Sequence, residues 1–503
     1  MPRVRSNVAS NIVGTLAITA LTFIVTPFQV HLLGMGSYGV IGFVATLQVA
    51  FTAFDLGLSS TVVREVAADR SADRQSTSRL MATAVTVYWG IAVLLGVALF
   101  AAAGWVAGSW LQADQATSDL TTSIRVIALY LALRWPVALY SGILTGLQRL
   151  DLVNVLKVAS ATLRLLGGLG AILIWRTLDS FLWWTAAAAA IEVGAFAFTC
   201  RRVYPSLSHR PTISREALRP IWRFAMRMNA ISVIAIVLVQ ADRFTISRLL
   251  PLEALGRYNL AYTAASLATL IISAVSTAVL PFFAAGHSDG VDVLRQRYLL
   301  AERGMLLLVT PLSFSLIAYG PALLRLWVGS SAAIGTGPVI VMLALGFWLS
   351  ALVANLYNVA VARGAPNTFL SVNFAVILPY VALMIFMIGR FGIPGAAASW
   401  LVLQVFYCLM LIPLEQRHLT GLRTRTWFIN LVFPEALSGL ICFIVAQQVL
   451  TRVIGWPDLM SCVIGLPAGG LVYLGLSAWR GGLSVATVRS FVQSRGCASV
   501  SDL

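Results

Sequence analysis

The chain has 503 residues, 59% hydrophobic and 11% charged, with a formal net charge of +16. A soluble globular chain carries about 25% charged residues, so this one cannot cover a water-facing surface and reads as an integral membrane protein. Its arginines sit in short loops at the ends of apolar runs, where bilayer orientation and anionic lipid headgroups account for them, so membrane lipids are expected partners and nucleic acid is not.

The N-terminal MPRVRSNVAS is basic, but the apolar run after it is full length and lacks an A-x-A site, so the first helix is expected to stay in the protein. Runs such as VYWGIAVLLGVALFAAAGWVAG (87–108) exceed the roughly 20 residues that cross a hydrocarbon core. They lack the ten-residue alternation of membrane barrels, so the predicted fold class is an all-α polytopic membrane protein. Polar, Gly and Pro punctuation gives about fourteen candidate spans. They are 8–33, 39–63, 81–108, 122–147, 153–175, 180–200, 222–250, 257–284, 303–328, 337–361, 367–389, 394–414, 428–451 and 459–479.

Loop charge alternates along this series without a break. Arg3 and Arg5 precede the first span and the next loop has no charge; Arg64, Arg70, Arg74 and Arg79 follow the second, and the next loop has only Asp114 and Asp119. The sixth loop, CRRVYPSLSHRPTISREALRPIWR, is heavily basic. About 24 basic residues fall on one side and about six on the other, which predicts cytoplasmic N- and C-termini.

The five cysteines, Cys200, Cys408, Cys442, Cys462 and Cys497, form no C-x-x-C pair and have no histidine at ligand spacing. Neither a metal site nor a disulfide framework is expected. There is no P-loop or other ATP motif, so no cofactor is expected and energy would come from an ion gradient or from substrate and product removal.

LLGMGSYGVIGFVATL (32–47) and LLPLEALGRYNLAYTAASL (249–267) are similar: a span ends in Leu-Leu, and a Gly-x-Tyr opens the next at Gly36-x-Tyr38 and Gly256-x-Tyr258. Together with a looser match of 144–158 to 359–372, this suggests two six-helix halves in parallel arrangement. The expected divisions are an N-terminal half at 1–200, a basic linker at 201–221, a C-terminal half at 222–416, two additional helices at 417–479 and a tail at 480–503.

LLGMGSYG with FDLGLSSTVVREVA (54–67), TGLQR (145–149), DRFTISRLLPLEALGRYNLAY (242–262) and FGIPGAAASWL (391–401) carry a resemblance. In that order and spacing they resemble the polysaccharide-transporter branch, O-antigen flippases of the Wzx type, of the multidrug/oligosaccharidyl-lipid/polysaccharide exporter superfamily. The resemblance implies two helical lobes around a central cavity. It implies export of an undecaprenyl-diphosphate-linked oligosaccharide across the bacterial inner membrane for cell-surface polysaccharide, with H+ or Na+ and polysaccharide-assembly proteins as further partners, and no enzymatic activity.

Ionisable groups within spans need a partner or a wet cavity. The bases are Arg125, Arg134, Arg164, Arg227 and Arg243; the acids are Asp55, Glu192, Asp242 and Glu435. Arg134, Arg164 and Glu192 each lie ~18 Å into their spans at 1.5 Å per residue, so they should meet at mid-membrane, either as an ion pair locking the helices or as a cationic wall for a diphosphate. Asp55 precedes Gly57 and suits a helix bend or a proton or cation site; Arg64 suits an interfacial anchor.

Asp242 and Arg243 are sequence neighbours, about 100° apart on a helix, and cannot simply neutralise each other. Asp242 could bond a neighbouring span, and Arg243 could offer its planar fork to phosphate oxygens. Tyr258, Tyr262 and Tyr357, with Trp183 and Trp184, could stack on sugars or form an interfacial belt. A cation-coupled drug antiporter would need more acidic cavity groups. A membrane glycosyltransferase or polymerase would need a larger extracytoplasmic loop with catalytic residues, and a purely structural membrane protein leaves the mid-span charges unexplained.

Overall fold

The computed structural model describes residues 2–55, 57–68, 74–111, 117–205, 236, 238–284 and 290–480. These residues are almost entirely helical. Twelve helical segments among them are long and apolar enough to cross a membrane. The expected fourteen differs in two places. Val13–Asp55, 43 residues, is one of the twelve, yet at 1.5 Å per residue it is about 65 Å long, twice a hydrocarbon core. Helix α1 (Pro2–Thr52) is broken inside this segment at Gly34 (φ 80°, ψ 167°), a backbone state open essentially to glycine. The expected span 222–250 falls largely outside the described residues, which begin again as helix α8 at 238–249.

The helices fall into two compact units. The first takes Met1–Gly256 with Ile377–Gly392, the second Arg257–Val376 with Ile393–Leu503. The expected linker at 201–221 and the tail after 480 lie outside the described residues, except that α7 (Leu178–Val203) runs slightly past its expected end.

In the first unit, α1 packs on α6 (Leu150–Trp175), α6 on α7, α7 on α4 (Thr117–Arg134), and α4 on α3 (Arg74–Trp105). The short α2 (Leu58–Ala68) packs on α5 (Val137–Gly146). Lipid offers no hydrophobic drive for helix association, so small residues that permit close approach carry these contacts. A Cβ at Gly96 of α3 would lie 2.7 Å from the Ala132 methyl of α4, and one at Gly167 of α6 would lie 2.2 Å from the Trp184 ring of α7.

Two single spans of the sequence reading are each two helices. The fourth breaks between α4 and α5 because Pro136 lacks an N–H and disfavours helix in the residue before it. The second breaks at 53–57, where Gly57 has φ 70°.

Residues 252–256, which open α9 (Leu252–Ala265), also belong to the first unit, and there they meet the segment Met35–Gly39 of α1. A Cβ on Gly39 would lie 2.0 Å from the Leu252 carbonyl oxygen, and one on Gly256 would lie 2.6 Å from the Met35 carbonyl oxygen.

The second unit is built on α11 (Val291–Val328) and α12 (Thr336–Ala362), with α10 (Leu267–Ala284) and α14 (Ile393–Thr420) packed on α12. Helix α13 (Asn367–Phe391) passes from one unit to the other. Two further helical spans, α15 (Thr424–Val453) and α16 (Asp458–Trp479), pack on α11. Helix α15 winds through π-type turns at Phe428–Val432, Leu440–Val445 and Val449–Val453, an irregularity frequent at functional sites.

Candidate functional site

The strongest charged constellation of the first unit lies midway along three of its apolar segments, Asp119–Gly146, Leu150–Trp175 and Leu178–Val203. Arg134 is the last residue of α4, put there by the Pro136 break. Carbonyls at a helix C-terminus carry partial negative charge and favour a cation. Trp135 fixes the break: its indole N–H donates to the Phe51 carbonyl at 3.0 Å, and its ring stacks on Tyr88 at 4.3 Å.

From this anchor the Arg134 Nε donates to Glu192 Oε2 of α7 at 3.3 Å. Arg164 of α6 donates through Nη1 to the same oxygen at 3.4 Å. Glu192 is buried, while the two arginine side chains retain 24% and 19% exposure. One carboxylate oxygen thus ties α4, α6 and α7 together, as the depth of the three residues predicts.

A further cation, the exposed Lys157, precedes Arg164 by two helical turns on the same side of α6, about 10 Å along the axis, within range of the charges of Arg134 and Glu192. Tyr130, one turn before Arg134 and beside it, donates its hydroxyl to Gln48 Oε1 of α1 at 3.0 Å. The ion-paired cluster holds two cations and one carboxylate, a formal charge of +1, and Lys157 adds positive charge two turns away. Each arginine spends one N–H of its five on Glu192. The partly exposed forks can therefore receive a second anion with fixed, bidentate geometry. Spacing alone reaches Lys157, since residues seven apart share a helix face; its place near the start of a span makes it read as a loop charge.

The other candidate residues are placed differently. Asp242 and Arg243 are both buried on α8. The Asp242 carboxylate accepts from the Arg243 backbone N–H at 2.7 Å, and Arg243 Nη1 donates to Gln240 Oε1 at 2.7 Å. Asp55 accepts from the Ser59 hydroxyl at 2.6 Å and the Ser59 backbone N–H at 3.4 Å, the geometry of a cap at the start of α2. Arg64 is 61% exposed and pairs with Glu65 at 2.8 Å. Arg125 lies over the Phe100 ring at 5.2 Å. Arg227 lies outside the described residues.

Tyr258 has no exposed surface, so its ring presents no face to a sugar; it packs on Tyr262 at 6.3 Å, which meets Phe347 edge-on at 5.5 Å. Tyr357 is partly exposed and packs edge-on against Phe369. Trp184 donates to the Leu163 carbonyl at 3.0 Å, whereas Trp183 is exposed. In the second unit Glu435 accepts from the Tyr473 hydroxyl at 2.5 Å and pairs with Arg480 at 3.7 Å. Among the candidate residues, the described contacts bring together Arg134 with Arg164 through Glu192, Asp242 with Arg243, and Tyr258 with Tyr262.

Known proteins share both the fold and the sequence pattern. Over 93% of this chain and 97% of the other, the fold superposes on the lipid II flippase MurJ in its inward closed conformation, with a TM-score of 0.73 and 14% identity. An inward-facing multidrug resistance MATE family transporter of the MOP superfamily matches over 82% of this chain and 98% of its own, with a TM-score of 0.66 and 13% identity. In sequence, a Shigella flexneri protein named as a candidate O-antigen transporter is 23% identical over 384 residues, 75% of this chain and 90% of the relative. Residues 4–287, more than half of the chain, match the model of one family, and on that match the chain belongs to the polysaccharide biosynthesis protein family.

Proposed function

We propose that this multi-pass membrane protein is a flippase that carries a lipid-linked oligosaccharide across the bacterial cytoplasmic membrane, with the diphosphate of the carrier lipid drawn to Arg134, Lys157 and Arg164. The observation that carries the reading is the mid-membrane pair of arginines on one carboxylate, with Lys157 two helical turns away on the same side of α6. Unbalanced charge at that depth is expensive unless it meets a counter-charge or water, and a diphosphate supplies the counter-charge while its sugars and lipid tail travel elsewhere. The names of relatives support it, since one is a candidate O-antigen transporter and another a lipid II flippase. Transport would proceed by alternating access between two six-helix halves, with both termini in the cytoplasm.

A multidrug antiporter of the same fold is the second reading, favoured by the multidrug MATE structures among the fold relatives. Its cationic cargo would meet a repulsive wall at Arg134, Lys157 and Arg164. Arg134→Ala and Arg164→Ala should each reduce complementation of a flippase-deficient strain about 10- to 100-fold, the worth of one charged hydrogen-bonded contact, while protein still accumulates in the membrane. The corresponding Arg→Lys changes should rescue in part, because an ammonium keeps charge without the fork. Full complementation by both alanine variants at normal membrane levels would remove the diphosphate from this cluster and transfer the assignment to Arg243.

A further inference from the structure

The second unit holds a small cavity of about 70 Å³ where α11, α15 and α16 converge. Its polar lining is Arg303 of α11, Asn430 and Glu435 of α15, Ser477 of α16, and Arg480, which follows α16 directly. Arg480 is fixed in place. Its Nη2 donates to Ser438 Oγ at 2.6 Å and pairs with Glu435 Oε1 at 3.7 Å, while Nε donates to the Leu476 carbonyl at 3.2 Å. Glu435 is held in turn by the Tyr473 hydroxyl. Arg303 and Asn430 are exposed and make no hydrogen bond or ion pair with any described residue.

Two guanidinium groups and one carboxylate give the lining a formal charge of +1. Arg480 keeps Nη1 free and Arg303 keeps its whole fork, so both have N–H groups to offer. Arg303 opens the apolar run of α11 and Arg480 closes that of α16, on the side that loop charge predicts to be cytoplasmic. The cavity therefore sits at headgroup depth. Leu307, one turn deeper than Arg303 on the same face of α11, and Leu431 line its apolar wall. The π-type turn Phe428–Val432 supplies both Asn430 and Leu431, which gives that irregularity a place in a site.

We propose that this cavity binds the phosphodiester of an anionic membrane phospholipid of the phosphatidylglycerol class. One phosphodiester carries a single negative charge, which balances the +1 of the lining. A zwitterionic headgroup would bring a further cation against Arg303 and Arg480, and a diphosphate would bring further negative charge against Glu435. The two arginines hold phosphate oxygens with fork geometry, while the Asn430 amide and the Ser477 hydroxyl can donate to the ester and glycerol oxygens. Basic pockets between spans on the cytoplasmic side suit anionic headgroups. For the acyl chains, the exposed Leu437 of α15 and Leu474 of α16 each lie one turn deeper than a lining residue, Pro434 and Ser477. Such a lipid would tie α15 and α16 to α11, in a different unit from the Arg134–Arg164 cluster.

The test uses the full-length protein in detergent, titrated with short-chain phosphatidylglycerol and no polysaccharide substrate, so its failure and that of the flippase reading are separate events. Phosphatidylglycerol should raise Tm saturably. Phosphatidylcholine of the same chain length and inorganic phosphate should not. Arg303→Ala breaks no contact with a described residue, so it should fold, and it should weaken the phosphatidylglycerol effect about tenfold or more, the worth of one charged hydrogen-bonded contact. Should that variant fail to accumulate, Asn430→Ala carries the same test with a smaller loss. Arg452→Ala, near the other end of α15, is the control and should bind like the wild type. A phosphatidylglycerol effect matched by phosphatidylcholine, or unchanged in both Arg303→Ala and Asn430→Ala, overturns the proposal. Equal stabilisation by inorganic phosphate gives the cavity to a free anion. Tighter binding of a polyprenyl diphosphate that Arg303→Ala abolishes gives it to the carrier lipid, and either result overturns the phospholipid assignment.

Discussion

Glu192 pairs with two arginines, so its removal should be felt more than the removal of either of them. Glu192→Ala leaves Arg134 and Arg164 opposed at mid-membrane. Breaking a fully buried ion pair costs about 3–5 kcal/mol, and the cost here should fall below that range because the arginines retain 24% and 19% exposure and are partly screened. The expected result is a lower yield of monodisperse protein on size-exclusion chromatography and a lower Tm, with part of both recovered in the double variant Arg134→Ala/Glu192→Ala. At this scale the sequence was informative about charge and blind to amides. Arg134, Arg164 and Glu192 are legible because depth in a span is simple arithmetic. The buried Glu302 of α11 is not, since the charges at 295, 297 and 303 push the apparent start of its span to 303, whereas α11 begins at Val291. Asn355 and Gln416 carry no charge to mark them, and their burial is visible only in the structure.

Among the helices, contacts are set by what is missing from their faces. Gly167 lies under the Trp184 ring, whose N–H reaches the Leu163 carbonyl one turn earlier on α6. Gly167→Ala should displace the indole, break that bond and cost about 1–3 kcal/mol, the usual penalty of overpacking, read as a fall in Tm in detergent. Gly170→Ala, with nothing within 4 Å of the added methyl, is the matched control and should leave Tm unchanged or slightly raised. Hydropathy marks α6 and α7 as apolar segments without marking which faces meet. It also passes over the Pro136 break, because proline inside an apolar run leaves the average unchanged. The π-type turns of α15 have no sequence signal at all: FINLV, LICFIV and VLTRV are unremarkable apolar stretches.

For the chain as a whole, loop charge remains the guide to orientation. Reporter fusions at positions 115, 255 and 333 should read as extracytoplasmic, and fusions at 72, 210 and 420 as cytoplasmic; two reversed sites would discard the topology. Arg176, at the end of α6, has a left-handed φ of 52°, and a turn so tight limits how much chain lies on that side between α6 and α7. The element order was legible as apolar runs with polar punctuation. The division into units at Gly256 was not, because a boundary within a continuous helix leaves no trace in composition.

The contact of Gly39 with Leu252, and of Gly256 with Met35, also sets a clock on biogenesis. The partner of the first turn is made more than 200 residues later, and at 5–20 residues per second that is a wait of about 10–40 s. During that interval the notch at Met35–Gly39 has no helix packed against it. What waits is packing rather than hydrogen bonding, since the close contact of these backbones forms only when Leu252 arrives. A newly made chain halted before that point is an incomplete first unit rather than a finished half.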